Sequence, residues 1–305
     1  MMWLLLAFMS AVLLGFYDVF KKKALDHNAV IPVLLLNTLF SSLIFLPFII
    51  SSSQGWLSSD SLFYTYSYGW AEHRYILLKS VIVLSSWICG YFGMKNLPIT
   101  IVGPINATRP VMVLIGALTF MGEHLNLWQW VGVTIAIISF YLMSRSGKKE
   151  GIDFKHNKWI ALVVLANVLG AISGLYDRYL MAPVGVGVGL DKMAVQSWYN
   201  IYQFFMMLIM LLLLWYPHRK KTTPFHWDWS IILISLFLSA ADFVYFYALS
   251  QDEAMISIVS MIRRSSVVVS FFCGAIFFHE KNLRAKLLDL ALVLLSMLFL
   301  FIGSK

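Results

Sequence analysis

Residues 15–18 read Gly-Phe-Tyr-Asp and residues 174–177 read Gly-Leu-Tyr-Asp. Each tetrapeptide ends a long hydrophobic run. Later in each half, arginine sits inside another hydrophobic run: Arg109 in the first half, Arg263 and Arg264 in the second. A guanidinium at mid-membrane depth costs roughly 2.5 kcal/mol on insertion scales. A chain that carries one in both halves is expected to enclose a water-filled polar interior, which is the geometry of a carrier.

Composition agrees. Of 305 residues, 60% are hydrophobic and 12% are charged, against about 25% charged in soluble domains. The chain reads as an all-α, multi-pass membrane protein. The net charge of +8 does not point to nucleic acid, because the basic residues cluster in short loops, where Lys and Arg set topology. Contact with anionic lipid is a generic further reading of those clusters. Cys89 and Cys273 lie inside apolar runs and form neither a disulfide framework nor a metal site. No zinc spacing or phosphate-binding glycine loop appears, so no metal or cofactor is expected. The run Met1–Phe20 lacks a basic leader and is followed by Lys21-Lys22-Lys23, so it reads as a first membrane helix and not as a signal peptide.

Runs of about 20 apolar residues predict spans at 2–20, 30–50, 76–95, 98–121 and 126–144, then at 158–180, 195–216, 229–249, 254–278 and 283–303. The expected organisation is a five-helix repeat over 1–144, a basic connector over 145–158 and a second five-helix repeat over 159–305. Pairs of landmarks recur: Asn37 and Asn200 early in the second helix of each half, Tyr91-Phe92 and Tyr245-Phe246 late in the third, and Gly122-Glu123-His124 and His279-Glu280 after the fourth. Five spans per half is an odd number, so the second half is expected to insert upside down, a common plan among secondary transporters. The segment 51–75 reads as an interfacial loop because of Trp56, Tyr64, Tyr66, Tyr68 and Trp70; a substrate-capturing lid is the sharper alternative. Fifteen of the 23 Lys and Arg fall in the odd-numbered loops, which places those loops in the cytoplasm and both termini outside.

Taken together, the two five-helix halves, the Gly/Asp-bearing first helix, and the stretches PVMVLIGALTFMGEHL (110–125) and RRSSVVVSFFCGAIFFHE (263–280) resemble the drug/metabolite transporter superfamily, EamA type. The resemblance covers essentially the whole chain. It implies an inner-membrane carrier, often an exporter, of amino acids, other metabolites or drugs. It also implies cytoplasmic termini, opposite to the loop count, and Val267 stands where the second half would repeat Pro110.

Arg109 lies about eleven residues into its span, roughly 16 Å deep, with Asn106 one turn away. Arg263 shares a helical stripe with Ser260, Ser266 and Ser270. Arg109 and Arg263 are the expected guanidinium forks for a substrate carboxylate or phosphate, and Arg264 turns away from that stripe. Pairing of these arginines with Asp242, Asp18 or Asp177 is the structural alternative. Asp242 is a candidate proton-coupling group; Asp18 and Asp177 read as caps or as partners of Lys21, Lys22 or Arg178. Trp87, Tyr91, Trp198, Asn200 and Tyr245 are expected pocket walls for the organic part of a solute, with lipid-facing or interhelical packing as the plain reading. The small-residue pairs Ala11/Gly15 and Gly170/Gly174 read as close helix contacts. Glu123 and Glu280 read as dipole partners at helix starts.

These residues point to alternating access for a small organic solute with an anionic group, exported or exchanged in a bacterial inner membrane. The expected partners are that solute, membrane lipid and a coupling proton, with a homodimer left open. A membrane-embedded enzyme would need a convergent acid/base or metal constellation, and His73, His124 and His279 are scattered. A non-transporting assembly subunit gains little from intramembrane arginine.

Overall fold

The computed structural model describes residues 2–113, 115, 126–148, 154–251, 259, 262–277 and 283–303. Ser260, Glu123, Glu280, His124 and His279 lie outside the described residues. The described chain is helical, with one isolated bridge between Val184 and Gly187. The helices are α1 (Met2–Ala24), α2 (Val30–Ser53), α3 (Trp70–Asn96), α4 (Ile99–Ala107), α5 (Leu127–Lys148), α6 (Lys158–Met181), α7 (Lys192–Met210), α8 (Ser230–Leu249), α9 (Ser266–Phe277) and α10 (Leu283–Gly303). Among the described residues, six helical stretches are long and apolar enough to cross a membrane, counting α7 with its π-helical continuation Leu211–Trp215.

Local chemistry sets the helix ends. Lys21, Lys22 and Lys23 occupy the last turn of α1, where the dipole favours cations. Asp191 caps α7 by accepting from the amides of Met193 and Ala194, and Asn157 caps α6 through Trp159 N. Glu72 reaches back to the amide of Gly69 at 3.0 Å, so α3 begins at Trp70, six residues before the expected start. The aromatic loop ahead of it leaves Trp56 exposed and is tied down by Tyr68, whose hydroxyl accepts from Asp191 N at 2.8 Å. Burial there holds the Tyr68 phenol above its ordinary pKa.

The halves interlock. Helix α1 packs most extensively on α8 and α3 on α6, while α2 pairs with α7, α4 with α9 and α5 with α10. Serine hydroxyls clasp these seams by donating to carbonyls of the facing helix: Ser10 to Ala241 and Ser86 to Ala166 at 2.7 Å, Ser42 to Asn200 at 2.9 Å, and Ser296 to Gly132 at 2.7 Å. With no hydrophobic drive between helices in lipid, such bonds and close packing supply the association.

Two of the apolar clusters lie toward opposite ends of α1, α3, α6 and α8. One joins the C-terminal half of α1, Met94 of α3 and Leu97 just after it, Ile160 and Val163 of α6, and Ile231 and Ile234 of α8. The other joins Trp3 and Ala7 of α1, Ile76 of α3, Leu180 of α6, and Ala248 and Leu249 of α8. Buried charged residues intervene among these apolar ones: Asp18 and Lys21 on α1, Lys79 on α3, Asp177 on α6 and Asp242 on α8.

Candidate functional site

Those intervening residues enclose a cavity of about 140 Å³, room for on the order of ten waters. It lies between helices α1, α3, α4, α6 and α8 and the turn before α9. The charged groups in its wall come from both halves and sit at different levels. Toward the α1–α2 end, Lys21 Nζ is 2.6 Å from Asp18 Oδ1 and 4.3 Å from the centre of the Tyr17 ring. Toward the α6–α7 end, Lys79 pairs with Asp177 and lies 5.1 Å from the Tyr199 ring centre. Beside it Arg263 pairs with Asp242 and stacks 4.2 Å from the Tyr245 ring centre. The second oxygen of Asp242 accepts from Tyr199 Oη at 2.8 Å. A buried pair is expensive to break because the partner left behind stays charged in low dielectric.

Arg109 is held differently. Its Nε and Nη2 donate to Asn167 Oδ1 at 3.3 and 3.2 Å, and Asn167 Nδ2 donates to Ile105 O at 2.7 Å. The guanidinium lies directly over Gly170, where any Cβ would overlap it. Gly174, one turn on, has open space where a side chain would be. The pair Gly170/Gly174 therefore makes room for a cation and for the cavity, and does not serve as a helix contact. Gly15 does serve as one: a Cβ there would come within 2.5 Å of Val269 Cβ on α9.

Both arginine-bearing helices break beside the arginine. At Thr108 the amide bonds Ile105 O at 3.2 Å, the hydroxyl bonds the same oxygen at 2.7 Å, and Val111 N bonds Thr108 O at 3.0 Å. At Ser265 the amide bonds Ile262 O at 3.0 Å, the hydroxyl does so at 2.7 Å, and Val268 N bonds Ser265 O at 2.9 Å. Pro110, which lacks the amide that would continue the ladder, follows the first break. Val267 does not prevent the second.

The profile of the EamA-like transporter family matches residues 1–145 and again 157–302. The chain belongs to the EamA-like transporter family. No match was found among curated proteins. Solved structures do match; one, described only as a crystal structure of a protein, aligns with a TM-score of 0.65 at 11% identity, covering 99% of this chain and 97% of that one. At that identity the likeness concerns the fold alone. Membership makes this a membrane-embedded, multi-pass transporter with a small-molecule substrate and lipid neighbours.

In this EamA-like chain, Arg109, Asn106, Arg263, Trp87, Tyr91, Tyr245, Asp242, Asp18 and Asp177 all border the one cavity. Three expected wall residues lie elsewhere. Trp198 is half-buried at the α3–α7 seam, its ring centre 4.7 Å from that of His73. Asn200 is buried against α2, and its Nδ2 donates to Gln196 O at 2.9 Å. Ser266 is buried where its carbonyl approaches Gly15. All three sit on helix faces turned to a neighbouring helix, and periodicity cannot tell such a face from a cavity wall.

Lys21, Lys79 and Arg264 belong to the cavity, although the two lysines read as loop charges and Arg264 as turned away. Asp177 pairs with Lys79 and not with Arg178, which is exposed. The signal for Lys79 was its place inside the predicted span 76–95. Nothing local marked Lys21 apart from Lys22, which instead donates to the Met94 and Leu97 carbonyls at 2.9 and 2.7 Å.

Proposed function

We propose that the chain is an alternating-access carrier of a small organic solute bearing an anionic group, exporting or exchanging it across a bacterial inner membrane. The carrying observation is a polar cavity inside the bundle, lined by guanidinium groups from both halves and flanked by apolar clusters. In this reading the modules 1–144 and 159–305, joined by the connector 145–158, each cross the membrane five times and face opposite ways. Either cluster opens in turn while the charged layer stays fixed. Lys21 and Lys79 leave the loop count, one from each side, so the bias that puts odd loops in the cytoplasm persists.

Arg109 is the anchor for the anionic group, because among the described residues its fork is engaged by a neutral amide and by no carboxylate. Asn106 shares that wall, and Trp87, Tyr91 and Tyr245 hold the organic part. Asp242 is tied to both Arg263 and Tyr199, so a proton entering there frees a guanidinium. That gives the coupling route if transport is proton-linked. Sealed proteoliposomes loaded with a metabolite panel test the carrier reading. Movement of an unaltered anionic solute supports it; chemical conversion of the solute, or no flux for the whole panel, contradicts it.

A further inference from the structure

The charge balance of the cavity narrows the solute further. This inference rests on the carrier reading above. Among the described residues the lining holds five cations and three carboxylates. Three cations are matched: Lys21 by Asp18, Lys79 by Asp177 and Arg263 by Asp242. Arg109 and Arg264 meet no carboxylate among the described residues. Arg109 bonds the neutral Asn167, and the buried Nε of Arg264 has no hydrogen-bond partner among the described residues.

Two guanidinium charges in the cavity wall with no carboxylate partner among the described residues favour a solute that brings two negative charges. A monoanion leaves one uncompensated. A zwitterion such as an amino acid brings an ammonium for which no unengaged aspartate remains. A neutral solute compensates neither. We propose that the cavity selects a small organic dianion, a phosphate monoester or a dicarboxylate, held between Arg109 and Arg264. Each fork presents parallel N–H donors that match a carboxylate or phosphate edge. The Trp87 and Tyr245 rings then flank the carbon skeleton.

The test is thermal unfolding of the purified full-length protein in gluconate buffer at fixed ionic strength and pH ~8, where a phosphate monoester is doubly ionised. Glycerol 3-phosphate, inorganic phosphate and succinate are compared with acetate and glutamine. The expected result is a rise in Tm with one or more of the dianions and none with acetate or glutamine; the responding dianion separates phosphate from dicarboxylate. Arg264→Gln is expected to weaken the responding dianion about tenfold or more, and Arg264→Lys to restore part of that loss. An equal rise with glutamine or acetate, no rise with any dianion, or unchanged affinity in Arg264→Gln would overturn the proposal. The wild-type panel decides even where a variant fails to fold. Flux of glutamine without dianion binding would remove the dianion and leave the carrier; dianion binding with no flux of any solute would do the reverse.

Discussion

The turn after α4 and the turn before α9 share one backbone plan and carry exchanged side chains. Aligning their breaks, Thr108 on Ser265, puts Asn106 opposite Arg263 and Arg109 opposite Ser266. At these two positions each half carries one arginine and one small polar residue, in reversed order and one turn apart. The surroundings differ to match. Arg263 meets a carboxylate, and its side chain is as buried as its partner's. Arg109 meets an amide and a glycine. The turn occurs in both halves, with one arginine set against a carboxylate and the other against a neutral amide at the cavity wall.

Removing Asp242 tests that contrast most severely. Asp242→Ala leaves Arg263 buried without its counter-charge, which costs about 3–5 kcal/mol. A large fall in Tm in detergent is expected, with part recovered in the Asp242→Asn/Arg263→Gln double variant; an unchanged Tm would mean the pair carries no weight. Next come the glycines. Gly15→Ala drives a methyl into Val269 and toward the Ser266 carbonyl, an overpacking of about 1–3 kcal/mol that should lower Tm. Gly170→Ala meets only the end of a flexible arginine, so it should spare Tm and slow flux several-fold by displacing Arg109. If Gly170→Ala destabilised more than Gly15→Ala, the assignment of one glycine to packing and the other to the cavity would be reversed. Smallest is Pro110→Ala. Because α9 makes the same turn with Val267, a change within about 0.5 kcal/mol is expected, read from urea or thermal unfolding; a loss of several degrees would show that the first break depends on the ring.

Much of this was written in the chain. Apolar run lengths located the helices, and two of the long spans that carry buried aspartate, α1 and α6, announced themselves by Gly-Phe-Tyr-Asp and Gly-Leu-Tyr-Asp. Arg109, Arg263 and Asp242 stood out because ionised groups inside apolar runs are costly wherever they occur. What stayed hidden was the partner of each charge. Lys21 and Lys22 are adjacent in a basic triplet, yet one turns into the cavity and the other caps the end of α3; only the position of α3 separates them. Lys79 sat inside an expected span and was still counted as a loop charge, because its partner Asp177 is 98 residues away. The α7 residues Trp198 and Asn200 carry the right chemistry on faces claimed by α3 and α2. The breaks at Thr108 and Ser265 are local hydroxyl-to-carbonyl turns that apolar periodicity does not register.

The account rests on Arg109 as the cation that meets the solute. Counterflow of a responding radiolabelled anion into proteoliposomes, wild type beside Arg109→Gln at matched protein incorporation and matched Tm, measures this directly. The expected result is exchange by the wild type and at least a tenfold loss in the variant, in line with removal of one charge-assisted contact. Equal exchange rates in the two proteins would contradict it.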